Sequence, residues 1–190
     1  MRLDSLKDLY IDQLQDLYSA EQQLQSALPK MLEAASHPEL KTAFRRHLDE
    51  TKEHTQRLEQ VLSTLAGTAS GREGGVSGAM ESVYKALGRS PAGKKCEAME
   101  GLIQEGQEML KASGDLDVRD AGMIAAAQRV EHYEIAAYGT VCTYAEMLGR
   151  AADKDILGRT LAEEKATDER LNQLAKQVVN LDAAASQARA

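Results

Sequence analysis

Gln128-Arg129-Val130-Glu131-His132-Tyr133-Glu134-Ile135-Ala136-Ala137-Tyr138 is the stretch on which the fold turns. Placed on a helix, Ala121, Ile124, Gln128, Glu131, Ile135, Tyr138, Cys142 and Ala145 form one stripe in steps of three and four. That stripe is predicted to face a core, yet Glu131 stands in its middle where a Leu belongs. Glu134 follows one turn on, on the same side of the helix. A buried carboxylate is costly unless it is paired or binds a metal.

The same anomaly recurs on either side. The first helix is predicted from Asp4 or Ser5, with Ser5 and Asp8 as a capping box. Its stripe is Tyr10, Leu14, Leu17, Glu21, Leu24, Leu28, Met31 and Ala35, so Glu21 takes a core position between leucines; Pro29 is expected to interrupt or kink it. A second helix restarts at Ser36-His37-Pro38-Glu39, with Ser36 as cap, and stops at Gly67. Its stripe is Leu40, Phe44, His47, Thr51, His54, Leu58, Val61 and Leu65, polar only in the middle, with Glu50 and Glu53 alongside. Glu50 and His54 are four apart and can converge on one point. Glu53 reads as part of a solvated charged face before a ligand, and His47 as a buried or supporting histidine before a ligand.

Residues 68–92 read as a Gly-rich insertion with a short amphipathic helix whose sticky face is Met80, Val83, Tyr84 and Leu87. It is expected to cover a bundle end or a dimer contact. A further helix over Lys94–Ala112 turns Cys96, Met99, Leu102, Ile103, Gly106, Met109 and Leu110 inward, Gly101 and Gly106 allowing close packing. Asp117 is expected to cap the helix of the opening stretch, which stops at Gly149. The last helix starts near Asp153, with Leu157, Leu161, Glu164, Asp168, Leu171, Ala175 and Val178 inward, and 181–190 is expected to fray.

Composition agrees with an all-α chain: of 190 residues three are Pro, one is Phe and none is Trp. A net charge of -7 argues against a general nucleic-acid surface. No apolar run approaches a membrane span and no apolar signal segment opens the chain, so a cytoplasmic protein is expected. Cys96 and Cys142 form no Cys-x-x-Cys motif and read as buried free thiols.

Acids at mid-helix come level with one another in an antiparallel bundle. Glu21, Glu50, Glu131 with Glu134, and Glu164 with Asp168 would then crowd one low-dielectric interior. Two divalent cations offset such repulsion, the arrangement of di-metal carboxylate bundles. The alternative is an acid cluster that shares protons or reaches solvent.

Beyond the opening stretch, Leu17-Tyr18-Ser19-Ala20-Glu21, His47-Leu48-Asp49-Glu50-Thr51, Lys95-Cys96-Glu97-Ala98-Met99-Glu100-Gly101-Leu102 and Glu163-Glu164-Lys165-Ala166-Thr167-Asp168 carry a resemblance. Together with Val130–Thr140 they resemble the YciE/YciF family of ferritin-like stress proteins over nearly the whole chain. The resemblance implies one ferritin-like domain over 1–190, an antiparallel four-helix bundle with an additional helix in the long crossover, and a homodimer. It implies two divalent metal ions, iron or manganese, and a small oxidant such as peroxide or oxygen. The ligand set it implies is Glu21, Glu50, Glu131, Glu134, Glu164, His54 and Asp168, with Glu50 and Glu164 bridging. Glu53, His47, Tyr18 and Tyr138 are further candidates as ligands or supporting groups. The wider superfamily carries His three residues after the bridging acid; here Glu53 and Thr167 hold those positions, and His54 and Asp168 come one residue later. A peroxidase, catalase or ferroxidase is one reading; a non-catalytic metal-binding, storage or structural helical protein is the other. Tyr18, Tyr133 and Tyr138 near the acids are candidates for redox relays or for ordinary core packing.

Overall fold

A computed structural model describes residues 3–67, 76–90 and 92–187. All regular structure among them is helical: α1 (Leu6–Ala34), α2 (Pro38–Ala66), α3 (Val76–Ala86), α4 (Glu97–Lys111), α5 (Leu116–Met147), α6 (Ala151–Leu174), a π-helical turn (Ala175–Val179) and α7 (Asn180–Gln187). The Gly-rich part of the predicted insertion, 68–75, lies outside the described residues. The four long helices close a cycle of contacts, α1 on α2, α2 on α6, α6 on α5 and α5 on α1. Helix α4 lies against α1 and α5, and α3 against α2.

Local signals account for most helix ends. Ser5 caps α1, its hydroxyl accepting from the Asp8 amide at 3.1 Å. Gly67 ends α2 at φ 71°, a left-handed conformation that suits glycine. Pro29 sits inside α1 without dividing it. Four caps differ from expectation. His37, not Ser36, caps α2, Nδ1 accepting from the Glu39 amide at 3.3 Å. Asp115, not Asp117, caps α5 by accepting from the amides of Asp117 and Val118. Helix α4 starts three residues later than Lys94, because Cys96 is its cap and Sγ accepts from the Met99 amide at 3.4 Å. Helix α6 begins at Ala151, ahead of Asp153. The tail expected to fray continues as α7, which lies on α5 beyond the buried Val179.

Ser36 has another role. Its amide and that of His37 both donate to the Asp120 carboxylate, at 3.0 and 2.6 Å. Asp120 is fully buried on α5 and ties down the turn between α1 and α2. Asp120→Ala would leave those amides without an acceptor, and we expect a loss of about 3 kcal/mol. Urea unfolding followed by circular dichroism checks this; an unchanged midpoint would show that water replaces the carboxylate.

Two apolar clusters fill the interior. One gathers Leu24, Leu28, Leu40, Phe44, Met99, Met123, Ile124 and Leu171. The other gathers Tyr10, Leu14, Leu17, Leu58, Leu62, Val141 and Leu157. Met80, Val83 and Tyr84 of α3 belong to the second cluster, with Leu87 packed against it. Helix α3 therefore covers that end of the interior. A Cβ at Gly106 would meet Ala126 at an ordinary 3.6 Å and one at Gly101 would meet open space, so the close packing expected of these glycines does not depend on them.

Candidate metal centre

Between the two clusters lies a polar layer at mid-helix. On α1 it is Glu21, between the buried Leu17 and Leu24. On α2 it is His47, Thr51 and His54, between Phe44 and Leu58. Helix α5 contributes Glu131 and Glu134, and α6 contributes Glu164, flanked by Thr160 and Thr167. The four glutamates and His54 are fully buried, and His47 is 3% exposed.

These side chains converge. His47, Glu131, Glu134 and Glu164 each offer a ligand atom within 4.8 Å of the others, and so do Glu21, His54 and Glu164. Glu164 belongs to both groups. His54 Nδ1 comes within 2.9 Å of Glu164 and 3.5 Å of Glu21, and His47 Nε2 within 3.2 Å of Glu131. None of these approaches is aligned as a hydrogen bond. Glu21 Oε2, both nitrogens of His47, His54 Nδ1 and both carboxyl oxygens of Glu131, Glu134 and Glu164 are buried without a hydrogen-bond partner. Native interiors leave few such atoms, and these buried His and Glu side chains could hold a metal ion. Hard carboxylate oxygens with imidazole nitrogens fit iron, manganese or zinc better than a soft-metal site.

The surroundings orient two ligand candidates. His54 Nε2 meets Glu163 Oε2 at 2.9 Å, and Arg57 donates to the same Glu163 oxygen at 2.5 Å. Nδ1 is thereby left facing the layer. Tyr138 donates its hydroxyl to Glu21 Oε1 at 2.5 Å.

Not every expected residue enters the layer. Glu50 lies beside it, paired at 2.9 Å with both Arg46 and Arg170. Asp168 accepts from Gln128 at 3.3 Å and stands 3.5 Å from His132. Glu53 is exposed and pairs with Arg57 at 3.2 Å. The Tyr18 hydroxyl points elsewhere, donating to Glu59 at 2.8 Å. On α6 the buried ridge runs Leu157, Thr160, Glu164, Thr167 and Leu171. The expected stripe through Leu161 and Asp168 is off by one residue at both steps. Periodicity alone gave no sign of Glu163, whose partner His54 is 109 residues away; only its place next to Glu164 pointed to it.

Burial sets the protonation of the metal-free layer. It raises the Glu131 and Glu134 carboxyls well above 4.5, with repulsion from Glu164 adding to the effect. It also raises Glu21, against the close approach and charge of His54. At Glu164 burial is outweighed by His54 and His47, and the carboxyl is held below 4.5. Burial lowers His47, which is therefore neutral. Burial opposes the cationic form of His54, but Glu164 and Glu21 prevail and push its pKa up to about 11.

These directions give a sign. Above 4.5 the folded Glu131 and Glu134 hold protons that the unfolded chain has lost, so stability falls as pH rises. His54 adds stability that is complete below 6.5 and lost as pH rises toward 11. Glu164 opposes them only below 4.5. Chelator-treated protein is expected to have a higher urea midpoint at about pH 5.5 than at about pH 8.5. A midpoint that rises over that interval would contradict the assignment.

A family described as Domain of unknown function (DUF892) matches the chain over residues 5–83 and 77–184. The chain belongs to that family. A curated DUF892 relative, Protein YciF of Escherichia coli (strain K12), is 42% identical over 180 residues, covering 95% of this chain and 96% of YciF. The crystal structure of the E. coli stress protein YciF superposes with a TM-score of 0.78, covering 94% of this chain and 99% of that one. YcfI from Rhodopseudomonas palustris, described as a structural protein, is 39% identical with a TM-score of 0.72, covering 89% and 94% of the two chains. A protein from Xanthomonas campestris at 17% identity shares the fold, with a TM-score of 0.64. No helix among the described residues of this DUF892 chain is long and apolar enough to cross a membrane.

Proposed function

We propose that the polar layer is a two-cation carboxylate centre, iron or manganese, in a ferritin-like bundle that reacts with peroxide or oxygen as part of a stress response. The observation that carries this reading is the pair of buried ligand groups joined by Glu164. Glu131, Glu134, Glu164 and His47 would hold one cation, and Glu21, Glu164 and His54 the other. Such metals supply Lewis acidity and redox change to a bound oxidant.

The chain's own part is to prepare that space. Glu131 and Glu134 give up their protons to become ligands, which offsets the repulsion that raises them. Glu163 accepts a hydrogen bond from Nε2 of His54, so that Nδ1, once a cation displaces its proton, presents its lone pair. Tyr138 fixes the orientation of Glu21. The apolar clusters on both sides keep bulk water out. Glu163→Gln is expected to weaken metal binding about 10–100-fold with the number of sites unchanged; equilibrium titration with manganese reads it, and an unaltered affinity would remove Glu163 from this role.

Elemental analysis of protein purified without chelator, followed by peroxide consumption, tests the whole reading. Two transition-metal ions per chain with turnover support it, and a protein that takes up none on reloading rejects it. The description of YcfI favours a second reading, a structural protein. It predicts bound metal or shared protons without turnover. The homodimer implied by the resemblance belongs to the same proposal, and light scattering reads it.

A further inference from the structure

Next to the polar layer runs a partly buried chain of groups that the binding of cations does not use. Cys96 Sγ lies 3.0 Å from the Tyr133 hydroxyl. That hydroxyl donates to Asp16 Oδ2 at 2.5 Å. With the phenol proton committed to Asp16, Cys96 is left as the donor in its contact with Tyr133. Lys94 holds Asp16 at 3.1 Å and Asp12 at 2.8 Å. Burial works against the Asp16 anion, but its polar surroundings, with the Tyr133 hydroxyl and Lys94 in direct contact, hold its carboxyl below 3.8. Asp16 is therefore ionised, and its carboxylate can take the strongly acidic proton of an oxidised phenol.

Both ends of this chain lead somewhere. Tyr133 is joined by one peptide bond to Glu134 and stands two residues from Glu131, both in the layer. The Cys96 backbone is held by Ser19, whose hydroxyl accepts its amide at 3.0 Å, and by Gln23, which donates to its carbonyl at 3.0 Å. Ser19 and Gln23 line an open groove of about 570 Å³ between α1 and α4, with Gln22, Lys30 and Lys95. Glu100 also lines it and pairs with Lys95 at 2.5 Å, so Lys30 and the glutamine amides are what suit a small polar reductant.

We propose that Cys96, Tyr133 and Asp16 form a one-electron relay from that groove to the carboxylate–histidine layer. The relay rests on the reading of the layer as a redox metal centre, with peroxide as the oxidant. One electron leaves Tyr133 for the oxidised centre, while its phenolic proton crosses to Asp16. The S–H hydrogen atom of Cys96 then passes to the phenoxyl oxygen, which restores the phenol and leaves a thiyl. An electron from a reductant of the ascorbate class and the proton on Asp16 restore the thiol. The net result is one electron moved from reductant to centre, with no proton gained or lost by the relay.

The test has two arms. Iron-loaded protein is mixed with peroxide, frozen, and examined by electron paramagnetic resonance. A tyrosyl radical is expected that disappears in Tyr133→Phe at unchanged iron content. In Cys96→Ser, which keeps an oxygen to cap α4, the radical is expected to outlive that of the unaltered protein. In the second arm, metal-free protein is oxidised by a photogenerated ruthenium(III) complex. There the same radical is expected, lost in Tyr133→Phe and diminished in Asp16→Asn, where the proton acceptor is gone. A spectrum unchanged by Tyr133→Phe in both arms overturns the relay, and so does a radical lifetime indifferent to Cys96→Ser. Failure to bind iron or consume peroxide removes the metal reading instead, and the proposed direction of electron flow with it, while the photochemical arm still reports whether the three side chains act together.

Discussion

Glu164→Ala is expected to lose both cations, a larger effect on metal content than any other single substitution. Glu164 alone belongs to both ligand groups. Each cation loses an anionic ligand at once, in a site where water cannot replace it freely because the residue is fully buried. Dialysed protein measured by elemental analysis checks this, with circular dichroism to show that the helices remain. Glu164→Gln keeps the shape and tests the charge by itself. Glu50→Ala is the control: Glu50 is engaged by Arg46 and Arg170 rather than by the layer, and its loss is expected to leave the metal in place. A Glu164→Ala protein with full metal content would reject the shared ligand. A Glu50→Ala protein without metal would return Glu50 to the bridging position that the family resemblance first implied.

The contrast between these two glutamates shows how far the sequence could be read. On α1 the steps of four and three run unbroken from Tyr10 to Leu28, and the structure buries every member, Glu21 included. Periodicity finds that stripe but not all that is buried, because α1 packs on α2, α4 and α5 and also covers Ile11, Gln15, Tyr18, Ala20 and Ala27. On α2 the same rule puts His47, Thr51 and His54 on the stripe and Glu50 beside it, and these three are the residues buried. The bridging role given to Glu50 came from resemblance, not from the pattern. Helix α5 defeats a single-stripe reading because α1, α4 and α6 all pack on it. Asp120, Met123, Ala126, Ala127 and Val130 are buried there outside the predicted stripe, while Gln128 and Ile135 are only partly covered. Contacts such as Asp16 with Tyr133, 117 residues apart, leave no local signature at all. Helical type and the stops at Gly67 and Gly149 were legible because they are local; the partners of the polar layer were not, because they are set by how the helices meet.

Glu134→Leu is expected to make the metal-free protein more stable while destroying one cation site. Both Glu134 oxygens are buried without a hydrogen-bond partner. Burial, followed by the charges of Glu164 and Glu21, raises its carboxyl well above 4.5. A polar group in that position costs about 1–3 kcal/mol, and Leu removes it, and its repulsion with Glu164 and Glu131, at similar volume. For a chain of this length each kcal/mol raises the melting temperature by roughly 2–4 °C. Thermal unfolding with chelator at neutral pH should therefore place Glu134→Leu above the unaltered protein. With manganese present the order should reverse, because only the unaltered protein gains binding free energy at both sites. The reversal is the decisive feature, since a layer kept for a cation is a liability without it. If Glu134→Leu melts lower than the unaltered protein in chelator, the acids themselves hold the helices together, and the structural reading of the family gains the ground that the metal centre loses.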